Sequence, residues 1–360
     1  MKRCFRFIRC GRISSMLLLA ASTQLAGCAS YDGGMPRAMS EESGVMTVVG
    51  VDAGAGGMHM TAAETLPAGS ADRLQAYGTP SVRTQSFVSL ADAIWQWERK
   101  GAPQLIVIGE EWIRLHGFAS AWANQIARLG FKDGRKPLLA VTEGAAEHLV
   151  RSGAAAHSSA VLLRQADWTA SPLRSRSASY EEDLVLPYLP ISRGLGGEAA
   201  ATVQAALFKK GQLAGMLSPQ QSAMLSCLRG VANLPALSWS TSAANNGTAE
   251  LKRVSCRSDV RGNGSLSSPV VRIDVAVRGE SVTSRPASAA QIESAARALE
   301  ASFAALVREL QERRVDPLHA GDSFRRQYAG VWSPDRWRDA LARADVRLTV
   351  KLNPIGGTIP

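Results

Sequence analysis

Histidine and cysteine are scarce in this chain, five of each among 360 residues, and their spacing weakens them further as chemistry. His59, His116, His148, His157 and His319 stand far apart, with no His-x-x-x-His or Cys-x-x-Cys partner, so spacing supports no metal site. No Gly-x-Ser-x-Gly elbow places a nucleophile. Gly54, Ala55, Gly56 and Gly57 follow a strand-like run but lack the Gly-Lys-Ser/Thr ending of a phosphate loop, and they read as a hairpin turn. Lysine and arginine form no block interleaved with aromatics, which argues against nucleic acid as a partner. No apolar run reaches the roughly 20 residues of a permanent membrane span. The carboxylates invite an acid–base reading, but Glu110 and Glu111 sit at a strand-to-helix junction, where acids complement a helix N-terminus. Glu143, Glu147 and His148 fall on an expected solvated helix face. No catalytic, cofactor-binding or metal-ligating residue is assigned, and a non-enzymatic protein that works through contacts is the expectation.

What is present begins at the N-terminus. Lys2, Arg3, Arg6, Arg9 and Arg12 form a basic head without an acidic residue, followed by a largely apolar stretch over 13–27 and then Leu25, Ala26, Gly27, Cys28. This order reads as a bacterial lipoprotein signal over residues 1–27: the basic end stays cytoplasmic, and small residues fit a signal peptidase. The Cys28 thiol at the cleavage point accepts a diacylglycerol, and several acyl chains hold far better than one because each buried methylene adds about 0.8 kcal/mol. Removal of the head takes five basic residues and no acidic one, so the formal charge falls from +10 to +5. Cys4 and Cys10 leave with it and Cys28 is acylated. Cys227 and Cys256 remain as one possible disulfide, permitted outside the cytoplasm, or as two buried thiols.

About 330 mature residues are enough for two or three domains with real cores. Residues 28–43 read as a short Gly-, Pro- and Ser-containing tether. An N-terminal α+β domain is expected over 44–152, a looser middle segment or linker over 153–199, and further C-terminal α+β structure over 200–360. Within the first, 44–52 and 58–65 form a hairpin at the starting edge of a sheet. The continuous apolar runs 104–109 and 137–142 suit strands buried on both faces. Helical spacing marks 89–97, 110–129 with a break near Gly117, and 144–151.

In the C-terminal part, 200–217 gives two strands with a turn at 209–212. A helix starts at Ser218 and Pro219, where Ser caps and Pro suits the first turn. Asn246 and Gly247 suit a tight hairpin turn between strands at 237–242 and 249–259. Val271, Ile273, Val275 and Val277 alternate with polar residues, as do Val346, Leu348, Val350 and Leu352, and the two strands are expected to pair. Between them Ser288-x-x-Gln291 is a capping box. Ile292, Ala295, Leu299, Phe303, Leu306, Val307 and Leu310 recur at helical spacing. A short helix is expected over 334–343. Tyr328, Trp332 and Trp337 form an aromatic group that reads as covering a small sheet more readily than as a partner patch.

The segment AALFKKGQLAGMLSPQQSAML (205–225) resembles the signature that opens the C-terminal domain of the Ger(x)C family, the lipoprotein C subunits of spore germinant receptors. LIVIGEEWIRLHGF (105–118), PLLAVTEGAAEHL (137–149) and VDPLHAGDSFRRQYAGVWSPDRW (315–337) are similar to further family segments in the same order. The chain departs from the family pattern at Ala29 to Asp32, at Gln220 and Gln221, and at Asn353 to Gly356. The resemblance implies an α+β fold of three domains with mixed β-sheets flanked by helices. It also implies a lipid-anchored subunit, without a cofactor, that contacts two integral membrane subunits at the spore inner membrane in nutrient germination. Two other readings stay open on the residues alone: a lipid-anchored solute-binding or scaffold protein unrelated to spores, and an anchored hydrolase.

Overall fold

The computed structural model describes residues 45–54, 57–65, 81–87, 92–93, 103, 105–118, 137–152, 183–190, 203–230, 234–240, 248–281, 288–327 and 331–355. All of these belong to one compact unit, Ser43–Pro360. Cys28 and the tether, the outer parts of the helix read at 89–97, residues 119–129, the Asn246 and Gly247 turn, and Tyr328 lie outside them.

Eight strands form the first sheet: β1 (Val45–Gly54), β2 (Gly57–Thr65), β3 (Ser81–Phe87), β4 (Leu105–Gly109), β5 (Leu138–Thr142), β6 (Val185–Leu189), β7 (Gln204–Lys209) and β8 (Gln212–Leu217). Their order is β3-β2-β1-β4-β5-β6-β7-β8. β1, β4, β5 and β6 run parallel, with an antiparallel pair added at each end. The β1–β2 hairpin forms as read, but it is not the edge of the sheet. β3 covers β2, and its polar sequence SVRTQSF gives little strand signal.

Every residue of β4 and β5 is buried because helices cover both faces of the sheet. Side-chain alternation divides each strand between two cores. Val49, Val51, Ile106, Ile108, Leu139 and Val141 pack with Trp112 and Ile113 of α1 (Glu110–His116). Val48, Leu105, Val107, Leu138 and Ala140 face Ala146, Leu149 and Val150 of α2 (Ala146–Arg151). α2 approaches so closely that a Cβ on Gly50 would lie 3.0 Å from Ala146 Cβ and from Val150 Cγ2. The break read near Gly117 ends α1 there, at φ 65°, a conformation that favours glycine.

β6, contributed by the middle segment 153–199, sits between β5 and β7. The β6–β7 pair serves two cores: Leu184, Leu186, Ala206 and Phe208 face the α1 core, whereas Val185, Ala205 and Leu207 face the C-terminal core. The second sheet contains β9 (Leu234–Ser240), β10 (Thr248–Gly262), β11 (Val270–Ser281) and β12 (Asp345–Ile355), in the order β12-β11-β10-β9. β11 and β12 pair in parallel, with Ile273 opposite Leu348 and Val275 opposite Val350. A parallel pair needs a crossover, and here α4 (Ala289–Arg313), α5 (Gly321–Gln327) and α6 (Pro334–Leu341) supply it, following α3 (Pro219–Leu228) earlier in the chain. Capping boxes start α3 at Ser218/Gln221 and α4 at Ser288/Gln291. The α4 stripe Ala295, Leu299, Phe303, Leu306, Val307 and Leu310 is buried against the sheet. Each large apolar side chain so buried stabilises by about 1.5–3 kcal/mol. The fold is α+β, with mixed sheets flanked by helices.

Candidate functional site

In open parallel sheets, ligands gather at the carboxyl ends of the strands. Asp52, Glu110 and Glu143 stand at those ends of β1, β4 and β5, which makes them the first place to look for chemistry. Asp52 accepts hydrogen bonds from the backbone N–H groups of Ala146 at 2.6 Å and Glu147 at 2.9 Å. It therefore caps α2, whose own N-cap residue, Ala145, has no side chain able to do so. Burial pushes its carboxyl above the ordinary value, and the two amide donors oppose that rise. Glu110 accepts from Arg114 Nε at 2.8 Å within α1 and from the Tyr188 hydroxyl at 2.7 Å across the sheet. Burial, followed by that hydrogen bond, pushes the Tyr188 phenol upward. Glu147 pairs with Arg151 along α2 at 2.6 Å. The hydrogen-bonding capacity of Asp52 and Glu110 is taken up by helix ends and by the β4–β6 junction. Among the described residues no three His, Cys, Asp or Glu side chains converge on a metal-sized site. Gly54 and Gly57 lie opposite one another as the closing pair of the β1–β2 hairpin. His59 Nδ1 lies 2.9 Å from Ser86 Oγ, across β2 and β3.

The other polar cluster lies in the C-terminal core. Asp316 is buried and accepts from Ala320 N at 3.0 Å, Gly321 N at 2.8 Å and Trp337 Nε1 at 2.8 Å. Burial drives this carboxyl above its ordinary value against those donors. The Trp337 ring packs on Phe324 with centroids 4.4 Å apart, so this tryptophan belongs to the core over the second sheet. Trp332 is half-buried, with the Arg325 guanidinium 5.9 Å from its ring. The neighbouring Arg338 forks onto Asp183, Nη2 to Oδ1 at 2.7 Å and Nε to Oδ1 at 3.2 Å, and both side chains are almost wholly buried. A disulfide joins Cys227 of α3 to Cys256 of β10, with Cα atoms 5.1 Å apart. Residue spacing announces none of the Asp52, Asp316 and Arg338–Asp183 arrangements.

Comparison with known proteins finds no match among curated proteins. A crystal structure of the GerBC protein is similar over 83% of this chain and 93% of that one, at 16% identity and a TM-score of 0.46. Residues 203–355 match the family model described as "Spore germination B3/ GerAC like, C-terminal". The matched span runs from the start of β7 to the end of β12, taking in α3, the second sheet, α4 and the Asp316–Trp337 cluster. Over this span, somewhat under half of its length, the chain is similar to the C-terminal domain of spore germination B3/GerAC-like proteins.

Proposed function

We propose that this chain is a non-enzymatic, lipid-anchored C-type subunit of a nutrient germinant receptor, held to the membrane through Cys28 and acting through contacts with two integral membrane subunits. The observation that carries the reading is the match of residues 203–355 to the germination family model. The basic head, apolar stretch and Leu25-Ala26-Gly27-Cys28 order supports the anchor. Among the described residues no helix is long and apolar enough to cross a membrane, and in this reading acylation at Cys28 provides attachment. The Cys227–Cys256 bond suits the oxidising, extracytoplasmic side. The carboxylates spent on helix ends and the buried core leave a body suited to binding surfaces rather than to turnover.

The test is gene deletion in a strain without redundant receptors, followed by a nutrient germination assay. Loss of germination, restored by the wild-type gene but not by Cys28→Ala, is the expected result. Normal germination of the deletion strain would overturn the reading. Processing that is unchanged by globomycin would overturn the anchor alone.

A further inference from the structure

The second sheet buries one face under α4 and leaves the other in solvent. On that outer face Arg261, Arg272 and Arg347 occupy directly opposed positions on β10, β11 and β12. Two rows along, Arg257 and Lys351 flank Ala276, and Arg278 follows in the next row; all six basic side chains are exposed. Like charges directly opposite one another across strands are destabilising; in this row Asp259 offsets Arg261 and Asp345 offsets Arg347 at 2.8 Å, whereas Arg272 between them has no ion pair among the described residues. Asp259 and Asp274 lie between the two basic rows, and Asp259 pairs with Arg261 along the strand. No ion pair forms to Arg257, Arg272, Arg278 or Lys351 among the described residues. The outward positions of β11 and β12 are otherwise Asp, Ala, Thr, Asn and Glu, with Val270 and the exposed Ile355 at the two ends, and without an aromatic anchor of the kind on which protein interfaces concentrate their binding energy. Arginine guanidinium groups bind phosphate oxygens in a bidentate manner. Adjacent strands space these groups about 4.8 Å apart over an open face.

We infer that the outer face of the β9–β12 sheet docks onto the anionic phospholipid surface of a bilayer. The inference rests on the membrane location proposed above. The docking sets the orientation of the body, whereas the anchor sets only its distance. Each basic residue near an anionic surface strengthens attachment about fivefold, so a face whose six basic side chains are partly offset by Asp259, Asp274, Glu280 and Asp345, for a net excess of two cations, favours anionic over neutral lipid by roughly 25-fold at low salt.

The test uses residues 43–360, which contain every described strand and helix in one compact unit and lack both the basic head and Cys28. Co-sedimentation is measured with phosphatidylglycerol/phosphatidylcholine vesicles and with phosphatidylcholine vesicles. The expected result is a strong preference for the anionic vesicles that collapses in high salt. The combined variant Arg257→Ser, Arg272→Ser, Arg278→Ser and Lys351→Ser should bring anionic binding to within about threefold of neutral binding. Removing the same charge from exposed positions outside the second sheet, Arg297→Ser, Arg308→Ser and Arg326→Ser on helices and Arg343→Ser in the turn after α6, should change it little. Equal losses in the two variants, or no preference for anionic vesicles, would overturn the proposal without touching the anchor, which is read separately by processing at Cys28. Tighter binding to polyglutamate than to vesicles would overturn it in favour of an acidic protein partner.

Discussion

Breaking the Arg338–Asp183 pair should be the most damaging polar substitution in the molecule. The two side chains are 4% and 6% exposed, and the guanidinium approaches the carboxylate through both Nη2 and Nε. Removing one partner leaves the other charge buried without its counter-ion, which costs about 3–5 kcal/mol, whereas replacing both with apolar residues of similar size is often neutral or better. Asp335 also touches Arg338 at 3.0 Å, but it is 67% exposed and contributes little. Asp183→Leu and Arg338→Met are therefore each expected to lower stability by about 3–5 kcal/mol, a fall in melting temperature of roughly 5–15 °C. The double variant should recover most of that loss. Urea unfolding of the four proteins gives the cycle directly. Additive losses in the double variant, or single losses under about 1 kcal/mol, would show that the pair is not a coupled buried unit.

Three further outcomes are expected. Cys227→Ala with Cys256→Ala opens a loop spanning 29 residues. It should cost about 3–4 kcal/mol by loop entropy, and thermal unfolding with and without reductant should show the same loss for the reduced wild type. Asp52→Ala removes the cap on α2, costing about 1–2 kcal/mol, and hydrogen exchange should quicken first at the amides of Ala146 and Glu147; uniform quickening across the sheet would refute a capping role. Because burial raises the Asp316 carboxyl above 3.8, the folded protein holds that proton at pH values where the unfolded chain has lost it. This group's contribution to stability therefore falls as pH rises from about 3.8 toward the folded value and levels off above it. The stability of the wild type minus that of Asp316→Asn should decline over that window, and a difference that grows with pH would refute the assignment.

The elements most legible in the sequence are those whose environment repeats along the chain. β4 and β5 are apolar at every position because both faces are covered. α4 shows its buried stripe at helical spacing, and β11 and β12 share a period of two with one wet face, which is enough to pair them. What spacing cannot show is contact between distant residues. Asp52 caps a helix 94 residues further on, and Arg338 reaches 155 residues back to Asp183. β3 leaves no signature because an edge strand with polar positions needs no apolar pattern, and α5 (GDSFRRQ) leaves none because its seven residues hold only one buried side chain of any size, Phe324. β6 and β7 look like ordinary apolar strands, and nothing in their composition announces that their two faces serve different cores.

The parallel pairing of β11 with β12 sets an order of events during synthesis. β11 is complete at residue 281, but its partner spans 345–355, so one edge of β11 has no ladder to join until more than sixty further residues have emerged. A nascent chain at that stage carries a long strand with open N–H and C=O groups, a template for pairing with another chain. Truncations that stop short of residue 345 should therefore aggregate rather than lose one strand quietly.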